Sequence, residues 1–235
     1  MVAHQADVDS VRSQLAAVGA SLVAGVDAST PDAMLHWAGR LGSWDLGIAE
    51  ELLGPRVMHL RYDPLKQGLA DQPAYFTTDA FPLHTDVSYV TNPPGLMLMH
   101  CVAPDPGKGG LVRLASCDDA LSWVAPEVAN TLRQPVFRFL YPPACPSGSS
   151  EKLAILAHGQ WRFKYASMKF DREFSKAIEV FYRALLDVSQ TLFLRSGDLL
   201  IVDNHRMVHG RTAFGHHTND QPGRHIMRCY VNPSD

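Results

Sequence analysis

Residues 81 to 90 read FPLHTDVSYV and place His84 and Asp86 two positions apart in a stretch patterned as a β-strand. Alternation along a strand would point both side chains to one face. An imidazole and a carboxylate on a face otherwise given to apolar packing are costly to bury unless something satisfies them, and a divalent cation would do so. Two histidines and one carboxylate with open coordination positions suit non-haem Fe(II). The pair alone is weak evidence, because a chain with 11 His and 18 Asp in 235 positions yields about 0.8 H-x-D matches by chance. A second histidine is needed, and His100, His205, His209 and His225 all sit in or beside predicted strands. The segment GDLLIVDNHRMVHGRTAF (197–214) sets His205 and His209 after a strongly apolar strand, and spacing does not choose between them.

Cations form the second group. Arg224 and Arg228 are four apart on a predicted strand and so share a face. A buried guanidinium asks for an anion, and its planar fork meets a carboxylate with two parallel hydrogen bonds. The plain alternative is a pair of surface arginines. Arg162 and Lys164 could also hold an anionic group, although solvated surface charge is the simpler reading for both.

The elements that must position these residues are largely β. The first 55 residues read as helices with one short strand: VDSVRSQLAAVGA has helical spacing, SLVAGV is a strand, and Ser29 and Thr30 before Pro31 supply an N-cap for PDAMLHWAGRLG. VMHLRYD (57–63) reads as a strand, and 64–80 as a long polar loop of the kind that forms lids. From residue 81 the candidate strands are LHTDVSYV, GLMLMHCVA, LVRLAS, VFRFLY, LAILAH, WRFKY, TLFLRS, DLLIVDN and HIMRCYV, punctuated by turns rich in Gly and Pro. Two helical stretches interrupt them, roughly 117–133 and DREFSKAIEVFYRALLDVSQ, the latter with Phe174, Ile178, Phe181 and Leu185 on one face. The pattern predicts one mainly-β domain with flanking helices, its helical part (1–55) packed on a β core (56–235).

Four motifs in order carry a family resemblance: FPLHTD at 81–86, GKGG at 107–110, GDLLIVDNHRMVHGR at 197–211 and RHIMR at 224–228. The chain resembles the taurine dioxygenase and clavaminate synthase-like superfamily of Fe(II)- and 2-oxoglutarate-dependent oxygenases, over roughly residues 55–232. The resemblance implies a double-stranded β-helix of the jelly-roll, cupin-like kind. It implies His84, Asp86 and His209 as the catalytic metal ligands, which leaves His205 and His100 structural. It implies Arg224 as the partner of the far carboxylate of 2-oxoglutarate. Arg228 lies closer to the iron, where it could touch the keto-acid end or an anionic substrate, and Arg211 supports a loop. One position departs: many relatives carry a Thr two residues after the Gly-Gly, and Val112 stands there. The implied reaction uses O₂ and 2-oxoglutarate and releases succinate and CO₂. With Asp at position 86, hydroxylation of an unactivated C–H bond is the default, and desaturation or cyclisation uses the same triad. A small polar substrate is expected, an amino acid or biosynthetic intermediate, with 64–80 and 143–151 as lids.

Composition narrows the rest. A net charge of −3 and a pI of about 6.4 give no basic surface for nucleic acid or an anionic membrane. No apolar run reaches the roughly 18 residues of a membrane helix. Cys101, Cys117, Cys145 and Cys229 form no C-x-x-C pair and read as reduced thiols, so a cytoplasmic setting is expected. The competing class is a non-catalytic β-barrel metal-binding or sensor protein, which has no use for a buried arginine facing the metal. A zinc hydrolase would want a general base near the metal, and no glutamate is placed for it.

Overall fold

A computed structural model describes residues 7–48, 50–62, 77–141, 148–215 and 223–234, with residues 50 and 51 as backbone only. The N-terminal part comprises α1 (Val8–Val18), β1 (Ala20–Val23), α2 (Pro31–Gly39), β2 (Gly42–Ser43), α3 (Glu50–Leu53) and β3 (Met58–Arg61). Then come β4 (Phe81–His84), β5 (Leu96–Ala103), β6 (Val112–Ser116), α4 (Cys117–Ser122), α5 (Pro126–Leu132) and β7 (Arg138–Phe139). They are followed by β8 (Leu156–Ala157), β9 (Gln160–Trp161), β10 (Met168–Lys169), α6 (Ser175–Asp187), β11 (Gln190–Leu192), β12 (Leu199–Asp203), β13 (Met207–Arg211) and β14 (His225–Pro233).

Two antiparallel sheets carry the site. The larger runs β1-β12-β5-β14-β2, with β3 also pairing β14, and the smaller runs β11-β6-β13-β4. Strand alternation explains the layers. Leu96 and Leu98 of β5, Leu199 and Ile201 of β12, and Met227, Cys229 and Val231 of β14 face outward and pack against α1 and α2 through Val11, Leu15, Met34 and Trp37. Met97, Met99, Leu200, Val202 and Ile226 face inward, toward Val112 and Met207 of the smaller sheet. Strands covered on both faces read as continuous apolar runs, as GLMLMHCVA and DLLIVDN do. The outer face of the smaller sheet is covered by α4, α5 and α6, with Ile178, Phe181 and Leu185 buried against Leu83, Ala115 and Val208.

Several expectations about elements are corrected. The strand expected over 83–90 ends at His84, and residues 85–90 turn back, with Val87 at φ 55°. The helix expected over 117–133 is two helices, broken before Pro126, which begins the second. VFRFLY, LAILAH and WRFKY contribute only two-residue strands, joined by single bridges such as Phe137 with Leu153. The N-cap holds as read: the Thr30 hydroxyl accepts from the Ala33 amide at 3.2 Å. Among the described residues no helix is long and apolar enough to cross a membrane. Cys101, Cys117 and Cys229 are buried free thiols, and Cys145 lies outside the described residues. So does most of both expected lids, 64–76 of the first and 143–147 of the second.

Candidate metal centre and cosubstrate pocket

His209 on β13 pairs with His84 on β4, so the two imidazoles are neighbours on one face, their ring centroids 4.3 Å apart. Asp86 lies beyond the strand end, so simple alternation does not place it. Its backbone is held instead by Asn204. The Asp86 amide donates to Asn204 Oδ1 at 2.8 Å, and Asn204 Nδ2 donates to the carbonyls of Asp86 (3.0 Å) and Pro94 (2.9 Å). This clamp turns the carboxylate back over the histidines. Ligand atoms of His84, Asp86 and His209 then lie within 4.8 Å of one another, all three residues buried. The pairing slips between His209 and Arg211, which opposes Phe81. The extra residue on β4 turns Phe81 inward, where its ring meets His84 edge-on at 4.4 Å. Gly210 permits this approach, since a Cβ there would lie 2.7 Å from the Phe81 carbonyl oxygen.

The protonation pattern is informative. His84 Nδ1 lies 2.9 Å from the Pro82 carbonyl oxygen, which only accepts, so Nδ1 carries the proton. Burial, and then His209 beside it, lowers the His84 pKa to about 4, so the ring is neutral at pH 7. Its Nε2 therefore presents a lone pair to Asp86 Oδ1 at 3.4 Å. Burial alone would raise the Asp86 carboxyl, but Arg228 and His209 override it and hold the pKa well below the ordinary range. Two acceptors thus face each other with no proton between them. A divalent cation resolves that arrangement, and a backbone carbonyl fixing the remote ring nitrogen is the usual support of a histidine ligand. His209 Nε2 stands 3.5 Å from Asp86 Oδ2.

From the triad a pocket runs between the sheets, lined by Leu60, Phe81, Met99, Val112, His84, His209, Arg211, Arg224 and Arg228. Arg224 is buried, donates from Nε to the Gly110 carbonyl at 3.2 Å, and lies 5.9 Å from the Phe214 ring. Gly110 sits at φ +62°, and a Cβ there would come within 2.5 Å of Arg224 Cδ, so the second glycine of GKGG makes room for this side chain. Burial lowers the Arg224 pKa to about 10, and that of Arg211 likewise to about 10. Arg211 supports the loop as expected, donating to the carbonyls of Thr77 (2.9 Å) and Asp79 (2.5 Å), while its buried Nε has no hydrogen-bond partner among the described residues. Val112, opposite Arg211 in register, presents no hydroxyl to the pocket. A separate cleft of about 1220 Å³ beside Asp32, His36, Trp44 and Arg56 lies apart from all of these groups.

Arg228 lies beside the triad, lining the same pocket as Arg224, and its Nη1 donates to Asp86 Oδ2 at 2.9 Å. His205 and His100 bond to backbone carbonyls, of Pro93 at 2.9 Å and Val26 at 3.1 Å, and His225 contacts His59 at 2.8 Å. None of the three joins the triad. Sequence reasoning missed Asn204; its signal was a polar amide ending the apolar strand LLIVD, where a buried Asn needs partners.

A two-histidine, one-carboxylate cluster between the sheets of a double-stranded β-helix defines a cupin-fold protein of the non-haem oxygenase kind. The chain matches the family described as Taurine catabolism dioxygenase TauD, TfdA family over residues 1–139 and 149–230, and it belongs to that family. It is similar to gamma-butyrobetaine dioxygenase of Pseudomonas sp. (strain AK-1), at 29% identity over 191 residues, 73% of this chain and 48% of the relative. The chain thus spans about half the length of that relative. It is also similar to tyrosine isonitrile desaturase of Pseudomonas aeruginosa, at 24% identity over 230 residues, 88% of this chain and 73% of the relative. Among solved structures, asparagine oxygenase in complex with Fe(II), 3-hydroxyasparagine and succinate shares the fold, with a TM-score of 0.80 at 19% identity over 96% of this chain and 78% of that one.

Proposed function

We propose that the protein is an Fe(II)- and 2-oxoglutarate-dependent oxygenase that hydroxylates a C–H bond of a small polar substrate, an amino acid or a biosynthetic intermediate. The observation that carries this reading is the pair of facing acceptors, His84 Nε2 and Asp86 Oδ1, joined by a pocket to the buried guanidinium of Arg224. His84, Asp86 and His209 hold the iron. Arg224 takes the far carboxylate of 2-oxoglutarate, and the bare Nε of Arg211 offers a further donor where Val112 offers none. When bound, the iron and cosubstrate supply an oxidant from O₂ while 2-oxoglutarate becomes succinate and CO₂. The chain's own part is to hold His84 and Asp86 unprotonated, orient the dianion and keep water from the pocket through Leu60, Phe81, Met99 and Val112. Arg228 neutralises Asp86 and fixes the carboxylate's orientation. Family membership and the asparagine oxygenase likeness support the amino-acid reading of the substrate.

The test is anaerobic. Fe(II) and 2-oxoglutarate are added to the purified metal-free protein and the visible spectrum is recorded, with His209→Ala and Arg224→Ala alongside. A weak charge-transfer band that needs both reagents and vanishes in His209→Ala is expected. Iron binding without that band at saturating 2-oxoglutarate refutes the oxygenase and leaves a metal-binding module.

A further inference from the structure

We propose that Lys164 is the residue that selects the substrate, by pairing with a carboxylate that the substrate presents on the side of the metal site away from Arg224. This rests on the oxygenase reading above and names the substrate's charge.

The backbone places the residue. Lys164 and His84 form an antiparallel bridge, and His84 is paired on its other side with His209. His209, His84 and Lys164 are therefore a row across three adjacent chain segments, and directly opposed residues share a face. The segment is pinned beside the triad: the Thr85 amide donates to the Phe163 carbonyl at 2.7 Å, and the Phe163 amide donates to Thr85 Oγ1 at 3.0 Å. Trp161 and Phe163 turn the other way, their rings packed on Phe181 in the helix-covered core. Alternation then sends Arg162 and Lys164 to the triad's side.

Charge on that side is unbalanced. Lys164 is half-buried, and among the described residues its ammonium has neither an ion pair nor a hydrogen-bond acceptor. Asp86 is already engaged by Arg228 at 2.9 Å and shared with two histidines. Arg162 is buried, donates only to the Thr91 carbonyl, and leaves its Nε without a partner. The pocket that leads to Arg224 does not include Lys164 in its wall, so the cosubstrate does not need it. A carboxylate held beside His84 on the side of the 164 bridge would meet Lys164 next to the metal ligands. It can be the main-chain carboxylate of an amino acid or one on its side chain.

The experiment reads the iron–oxoglutarate band of the wild-type protein, loaded anaerobically, as amino acids are titrated in. The panel is the twenty L-amino acids and their α-amides, so each amide removes the main-chain carboxylate. Aspartate against asparagine, and glutamate against glutamine, removes the side-chain one. At least one carboxylate-bearing member should perturb the band where its neutral twin does not, and the twin that fails says which carboxylate is read. Lys164→Met should raise the apparent Kd of that member roughly 10- to 100-fold, the worth of a charge-assisted bond, and Lys164→Arg should restore most of it. The band formed before any amino acid is added checks folding and loading in each variant. Equal titrations for wild type and Lys164→Met overturn the proposal, as does a panel in which no charged member differs from its neutral twin. Absence of the band in the wild type itself removes the oxygenase reading and this one together.

Discussion

Replacing Arg224 with Met should make the metal-free protein more stable while disabling it. Burial lowers the guanidinium pKa from its ordinary value to about 10, net of the partial offset from Cys101 and Asp105. The difference corresponds to about 3 kcal/mol for holding the charge in place. Because both values lie above neutral, the penalty is constant at ordinary pH and fades only as pH rises through about 10. Met keeps most of the bulk but loses the bond to the Gly110 carbonyl, worth about 1 kcal/mol. The expected net gain is about 2 kcal/mol, or a melting midpoint higher by roughly 4–8 °C. Cosubstrate should act oppositely. With Fe(II) and 2-oxoglutarate at 100 times the wild-type Kd, the wild type gains about 2.7 kcal/mol. If Arg224→Met weakens binding about 100-fold, the same addition stabilises it by only about 0.4 kcal/mol. Anaerobic thermal unfolding with and without the two reagents should therefore reverse the stability order. A variant less stable than wild type when empty, or one with an undiminished oxoglutarate shift, would refute the assignment of Arg224 as an anion site held ready at a cost.

Three further outcomes are expected. Gly110→Ala forces a Cβ to within 2.5 Å of Arg224 Cδ at a φ of +62°, so it should weaken 2-oxoglutarate binding at least tenfold while leaving Fe(II) affinity near wild type, as read by titration of the charge-transfer band. Asn204→Ala strips partners from the Asp86 amide and carbonyl and should cost about 1–3 kcal/mol in denaturant unfolding, with a parallel drop in metal affinity by equilibrium dialysis; unchanged metal binding would dismiss the clamp. His84 has a folded pKa of about 4 against 6.5 unfolded, so the unfolded chain takes up its proton first as pH falls. The metal-free protein should therefore lose up to about 3 kcal/mol between pH 6.5 and 4, and His84→Asn should flatten that slope relative to wild type in denaturant melts. Asp86, held well below 3.8, contributes stability that is lost only at lower pH still.

The strands that the sequence revealed best are those buried on both faces, because uninterrupted apolar runs have few other readings. The shorter pieces between 137 and 170 were overread: side-chain pattern promised full strands, but only two-residue ladders and single bridges form there, and pairing is decided by neighbours along the chain that pattern does not show. The triad was legible through motif order. Its geometry was not, since Asp86 owes its position to an amide 118 residues away and not to strand alternation. Even spacing put Arg224 and Arg228 on one face and the resemblance set Arg228 nearer the metal; neither could show that its Nη1 would reach Asp86 Oδ2. Lys164 read as solvated surface charge because a lone lysine in a candidate strand has that as its simplest reading, whereas the bridge to His84 sets it beside the metal ligands.

The segment from Gln160 to Lys164 divides its labour by parity. Trp161 and Phe163 lock it to the scaffold, through the stacked Phe181 ring, the bond from Trp161 Nε1 to Asp118 and the clamp with Thr85. Residues 162 and 164 answer to the other side and carry none of those anchors. Variation at 164, half-buried and outside those anchors, can therefore proceed with less disturbance of the fold than at 162, where the buried Arg162 also donates to the Thr91 carbonyl. A combinatorial library limited to this pair, screened for succinate release against amino acids of differing charge, would sample that freedom directly, and the same parity marks where an engineer should leave the chain alone.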